Sequence, residues 1–147
     1  MTCHHAQLEQ ILPDKVCLVV VRGDVSSRLF PTEESAIANS VEERRREFMT
    51  VRHCARSALS DLGAPAVALP PGPDRAPQWP DGVVGSMTHC VGHRAAAVGW
   101  RSEELTSIGI DAEPNEPLPR NVLALVSPVD EWRMLQGLAS SCPGLTG

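Results

Sequence analysis

Asp111 and Glu113 are the sharpest chemical signal in this chain. They stand two apart in residues 107–113, SIGIDAE. In an extended backbone an i, i+2 pair shares one face, with Cα atoms roughly 6.5–7 Å apart. Gly109 removes a side chain from that face and leaves room for a group to approach. Two hard oxygen donors at an open position suit Mg2+, which keeps several waters and takes further ligands from substrate phosphates. A solvent-facing acidic strand end would carry the same pair, so the motif alone is weak.

His89, in the run Ser86-Met87-Thr88-His89, is the second signal. A histidine at a strand end beside small hydroxyl residues can donate to a phosphate oxygen. A core histidine with a backbone partner is the competing reading. His89-Cys90-x-x-His93 fails as a zinc site, because no CxxC completes the four ligands. His4 and His5 are incidental. Arg45, Arg52 and Arg56 are spaced by seven and four residues, which puts them on one narrow edge of a helix. Three guanidiniums in a row repel one another unless an anion or an acidic partner lies nearby. Each could instead snorkel from the margin of a buried face. Together with Arg75, these groups are the equipment for holding a polyphosphate and cleaving it at a bridging oxygen. No P-loop and no GxGxxG is present, so the phosphates are not held in either of those ways.

The elements that position these residues follow from periodicity. Residues 17–21 (CLVVV) read as a buried strand. Pro31-Thr32-Glu33-Glu34 reads as a helix start, and Ser40-x-x-Glu43 as a capping box opening the next helix. In that second helix Phe48, Val51, Ala55, Ala58, Leu59 and Leu62 form one apolar stripe, ended by Gly63 and Pro65. Residues 64–82 hold six prolines and predict a rigid, extended connector. Residues 83–90 read as a strand in which Gly85 marks a close approach or bulge. After Val91-Gly92, residues 94–100 pair with it as a hairpin. Residues 107–113 read as a third strand, stopped by Pro114. An apolar run over 122–126, a helix over 129–138 and a loop-like tail complete the chain.

Composition bounds the answer. The chain has 147 residues, the size of one ordinary domain. A net charge of -5 argues against a general nucleic-acid binder. No apolar run is long enough for a membrane span, and the first residues lack a signal peptide's pattern. The five cysteines are odd in number and widely spaced, which predicts reduced thiols and a cytoplasmic setting. Tyr is absent and aromatic residues are few, so the core must rely on Ala, Val and Leu. Charge is uneven: residues 44–56 hold five Arg and one Glu, whereas 102–131 hold seven acidic residues and one Arg.

With these motifs in their order, the chain resembles the 4'-phosphopantetheinyl transferases of the Sfp/EntD type. The resemblance runs over residues 42–138, through RRREFMTVRHCARSALSDLG, DRAPQWPDGVVGSMTHCVGHRAAAV, IGIDAEPNEPLP and EWRML. It implies transfer of 4'-phosphopantetheine from coenzyme A to a serine of an apo acyl or peptidyl carrier protein. The usual acceptors serve fatty-acid, polyketide, nonribosomal-peptide or siderophore synthesis. It implies that Asp111 and Glu113 bind Mg2+, and that they and His89 are the catalytic set. Thr88 and His89 match a pair that contacts coenzyme A phosphates. Arg56, Arg75 and, less closely, Arg52 match basic positions that hold the nucleotide end.

The resemblance also implies an α/β (α+β) fold of two similar halves. Residues 1–103 would be the first half, complete, and 104–147 the start of an incomplete second. The family's next motif, Trp/Phe-Ser-x-Lys-Glu, is absent, and the one lysine is Lys15. Catalysis by this chain is therefore expected to be impaired, and self-association through uncovered apolar surface is expected. The alternative is a non-catalytic module that binds coenzyme A or a carrier protein.

Overall fold

The computed structural model describes residues 11–114, together with 116, 122, 133 and 134. His4, His5 and most of the expected elements beyond residue 114 lie outside the described residues. Two compact units divide the chain, residues 1–113 and 114–147. Strand β1 is Val16–Arg22, helix α1 Pro31–Ala36, helix α2 Glu42–Leu62, strand β2 Val83–Cys90 and strand β3 His93–Trp100, all in the first unit. They make an α+β layer: α2 packs on a three-stranded antiparallel sheet of order β1-β3-β2.

The hairpin β2–β3 pairs Cys90 with His93 across Val91-Gly92, and Gly92 takes the left-handed φ of 71° that the reversal needs. The central strand β3 carries Ala95, Ala96, Ala97 and Val98, all fully buried or nearly so. Alternation sends Ala96 and Val98 toward α2 and the other two to the opposite face. The stripe on α2 meets them as expected: Cys54, Ala55, Ala58 and Leu59 have no solvent exposure. A core built from small residues lets helix and sheet approach closely, as the shortage of aromatic rings requires. Gly63 ends α2 in a left-handed cap, with Gly63 N–H on Ser60 O and Ala64 N–H on Leu59 O. Trp79 lies directly on Gly85, where a Cβ would stand 2.8 Å from its ring.

Four expectations need correction. β1 is half-buried rather than buried, because it is an edge strand paired only with β3 among the described residues. α2 starts at Glu42 with Val41 as N-cap, and Ser40 caps nothing. The Ser40 N–H is bonded to Ile37 O, which holds Ser40 in the turn leaving α1, one residue too early. The proline-rich connector is not extended throughout. It doubles back at residues 70–78, with a bridge between Pro71 and Pro77 and Gly72 N–H on Ala76 O at 2.7 Å.

The fourth correction concerns residues 107–113, which are extended but form no strand. Their N–H groups find side-chain hydroxyls on β2 instead of a backbone ladder. Ile110 N–H donates to Ser86 Oγ at 3.1 Å, and Ala112 N–H to Thr88 Oγ1 at 2.9 Å. The period of two survives: Ile108, Ile110 and Ala112 are partly buried, whereas Gly109, Asp111 and Glu113 are exposed. Leu105 packs over the bare backbone of Gly99, where a Cβ would stand 2.6 Å from Leu105 Cδ2.

Candidate functional site

α2, β2, the 70–78 turn and residues 36–40 at the end of α1 line an open cavity of about 560 Å³, within the usual range for a small-molecule site. Arg44, Glu47, Phe48 and Arg52 reach it from the helix, Met87 and His89 from the strand, and Arg75 from the turn. The wall therefore holds three guanidiniums, an imidazole and one carboxylate.

Arg52 is 6% exposed although it is an arginine. Its Nε–H donates to Leu69 O at 2.8 Å, its guanidinium sits 4.0 Å over the Phe48 ring, and Nη1 reaches Met87 Sδ at 3.7 Å. Burial pulls its pKa down to about 10; Glu33 opposes the shift, and Arg56 and Arg44 add to it. Arg52 stays charged at neutral pH, under a desolvation cost that a bound anion would relieve. Arg75 is held differently. Its backbone has φ 66°, a left-handed value rare outside glycine. The turn fixes this through Arg75 N–H on Gly72 O at 2.9 Å and Ala76 N–H on Asp74 Oδ1 at 3.1 Å. Among the described residues neither Arg52 nor Arg75 has a carboxylate within 4.0 Å.

Arg75→Gly should therefore separate backbone from side chain. Glycine relieves a left-handed strain of roughly 1–2 kcal/mol, partly offset by its unfolded-state entropy. The expected result is an unchanged or slightly raised melting temperature with weakened binding of phosphorylated ligands, read by thermal melt and calorimetry. A lower melt with unchanged affinity would contradict it.

The other expected site residues sort into two places. His89 faces the cavity, with Nε2 3.3 Å from Arg44 Nη1 and 3.4 Å from Glu47 Oε2. Thr88, its neighbour, points to the opposite face of β2. There its hydroxyl accepts from Ala112 N–H and reaches Asp111 Oδ1 at 3.4 Å. The strand thus places the arginine wall on one face and the carboxylate pair beside the other. Asp111 and Glu113 are both exposed on one side of their segment. Among the described residues no cluster of three or more His, Cys, Asp or Glu forms around them. Two carboxylates and a nearby hydroxyl still suit Mg2+, which is commonly bound by one or two carboxylates, with water and phosphate completing the shell.

The arginine row along α2 does not form one wall. Arg45 Nη1 donates to Ile37 O and Ala38 O at the end of α1. Arg56 lies outside the cavity lining and binds the fully buried Glu33 at 2.8 and 3.0 Å. Arg44 and Glu47 also line the cavity, and spacing on α2 alone does not mark them as site residues. Glu47 is the one acidic residue in the basic run 44–56, and that was the available signal. Burial pushes the Cys54 thiol up to about 11 and raises Cys17, so these two are poor nucleophiles. Cys17, Cys54 and Cys90 are all free.

Residues 32–99 match the model of the 4'-phosphopantetheinyl transferase N-terminal domain. That span includes every segment that lines the cavity, namely the end of α1, α2, the 70–78 turn and β2. The chain is also similar to 4'-phosphopantetheinyl transferase Svp of Streptomyces mobaraensis, 56% identical over 120 residues. This chain belongs to the 4'-phosphopantetheinyl transferase family. The match with Svp covers 82% of this chain and 48% of Svp. Npt of Nocardia iowensis is 58% identical over 104 residues, 69% of this chain and 46% of Npt. PptT of Mycobacterium tuberculosis is 54% identical over 97 residues, 66% of this chain and 42% of PptT. All three are 4'-phosphopantetheinyl transferases. The chain spans somewhat under half the length of each.

Proposed function

We propose that this chain carries the coenzyme A-binding half of a phosphopantetheinyl transferase. The reaction moves 4'-phosphopantetheine from coenzyme A to a serine hydroxyl of an apo acyl or peptidyl carrier protein. One observation carries the reading: Arg52 is buried in a cavity wall with no carboxylate partner among the described residues, and Arg75 lines the same cavity. Such an arrangement favours an anion of several charges over a neutral ligand.

In this reading Arg44, Arg52, Arg75 and His89 hold ligand phosphates from the cavity. Asp111 and Glu113 would hold Mg2+ on the other side of β2. Among the described residues β2 is at a sheet edge, so a long ligand can reach both faces. Bound Mg2+ would neutralise charge on the pyrophosphate and favour departure of adenosine 3',5'-bisphosphate. Thr88 orients Asp111, and Arg56 braces the frame through Glu33 and Arg28 O. The division into a first half over 1–103 and the start of a second over 104–147 belongs to this proposal. So do a cytoplasmic setting and carrier proteins of polyketide, nonribosomal-peptide or siderophore synthesis as acceptors. Among the described residues no helix is long and apolar enough to cross a membrane.

Incubation with coenzyme A, Mg2+ and an apo carrier protein, read by the intact mass of the carrier, tests transfer. A gain of one phosphopantetheine group supports it. Coenzyme A binding without any gain favours the non-catalytic module instead. Asp111→Ala is expected to erase the Mg2+-dependent part of coenzyme A binding, measured by calorimetry with and without the metal. An unchanged Mg2+ response would remove Asp111 from the site.

A further inference from the structure

Glu47 sits among two arginines and an imidazole without a close bond to any of them. Its Oε2 is 3.4 Å from His89 Nε2 and 3.6 Å from Arg44 Nη1, and its Oε1 is 3.9 Å from Arg94 Nη2. Charge-assisted hydrogen bonds run about 2.7–2.9 Å, so every one of these contacts is loose. The His89 contacts also conflict. If Nε2 carries the proton it can donate to Glu47, but it then faces an arginine donor. If Nε2 is bare it can accept from Arg44, but it then faces a carboxylate. One contact is wrong in either tautomer.

A phosphate oxygen resolves the conflict, because it accepts from Arg44 and from protonated His89 Nε2 at once. The displaced carboxylate has somewhere to go. Arg94 is buried between the β2–β3 hairpin and Asp24, with Nη1 on Cys90 O at 2.6 Å and Nη2 on Asp24 Oδ1 at 2.9 Å. Its Nε–H is buried with no acceptor among the described residues. Buried donors of this kind are uncommon and costly.

We propose that Glu47 is a two-position carboxylate that yields the Arg44–His89 pair to an incoming phosphate oxygen and shifts onto Arg94. Binding is then an exchange of one anion for another. A ligand with several phosphates displaces the carboxylate more readily than one with a single charge, so Glu47 sets the charge a ligand must bring. The proposal rests on reading this cavity as an anion site.

Calorimetry with inorganic pyrophosphate tests it, comparing the unaltered chain with Glu47→Gln. Removing the competing charge should tighten pyrophosphate about fivefold, the scale of one partly exposed charge contact. Equal or weaker binding by Glu47→Gln would overturn the proposal. A second readout needs no variant: in the unaltered chain the imidazole 15N signal of His89 and the Nε–H signal of Arg94 should both shift at saturation. Saturation that moves neither signal, or no pyrophosphate binding at all, also overturns it. If both pyrophosphate results hold and coenzyme A fails to bind, the exchange stands and the coenzyme A reading falls.

Discussion

Glu33→Ala is expected to lower the unfolding free energy by about 3–5 kcal/mol, the cost of removing one partner from a buried ion pair. Glu33 is fully buried in α1. Its carboxylate accepts from Arg56 at 2.8 and 3.0 Å, from Phe30 N–H at 2.9 Å and from Leu69 N–H at 2.9 Å. The alanine variant takes the acceptor from Arg56 Nη1 and from two backbone donors. These groups come from three places, namely the loop before α1, the middle of α2 and the proline-rich connector. Arg56 Nη2 also bonds Arg28 O at 2.9 Å and sits over the Phe30 ring. The variant should therefore loosen the connector that carries Arg75, and ligand binding should weaken with stability. Denaturant unfolding measures the effect. A change below about 1 kcal/mol would place the pair with ordinary surface salt bridges and contradict this account.

Arg52→Met is expected to show the opposite separation. Arg52 contributes a desolvated charge and one backbone hydrogen bond, whereas methionine of similar length can pack beside Phe48 and Met87. Replacing buried charge with a well-packed apolar side chain is often neutral or stabilising. The loss of the bond to Leu69 O costs about 1 kcal/mol, so unfolding free energy should change little. Ligand binding should suffer far more. A hydrogen bond to a charged group is worth about 1.5–3 kcal/mol, or roughly 10- to 150-fold in affinity. Stability retained with binding lost would mark Arg52 as a residue kept for its ligand. Loss of both would instead make it part of the frame, as Arg56 is.

Much of the fold was legible because it rests on local periodicity. The α2 stripe, the β2–β3 hairpin with its Val91-Gly92 turn and the close approach at Gly85 are each set by spacing within one segment. The errors lie where a residue's partner is distant. Ser40 matched a capping pattern, yet its N–H was already used by Ile37. Residues 107–113 alternate like a strand, yet two hydroxyls on β2 take the hydrogen bonds that a strand would share with a backbone.

The same limit governs the site. Helical geometry puts Arg45, Arg52 and Arg56 on one edge, but the partners that divide them are the carbonyls of Ile37 and Ala38 just after α1, a cavity and Glu33. None of those follows from spacing on α2. Strand alternation sends Thr88 and His89 to opposite faces of β2, so their partners within the fold differ. Arg44 and Glu47 were missed because a lone glutamate among arginines reads as an ordinary helical ion pair. Only the packing of β2 against α2 brings His89 to them.

The most direct test of the central claim is calorimetry of this chain with coenzyme A, with and without Mg2+, repeated on Arg52→Met. The account predicts one site per chain, affinity that rises with Mg2+, and a loss of at least about tenfold in the variant at unchanged stability. No binding by the unaltered chain, or equal binding by the variant, would contradict it.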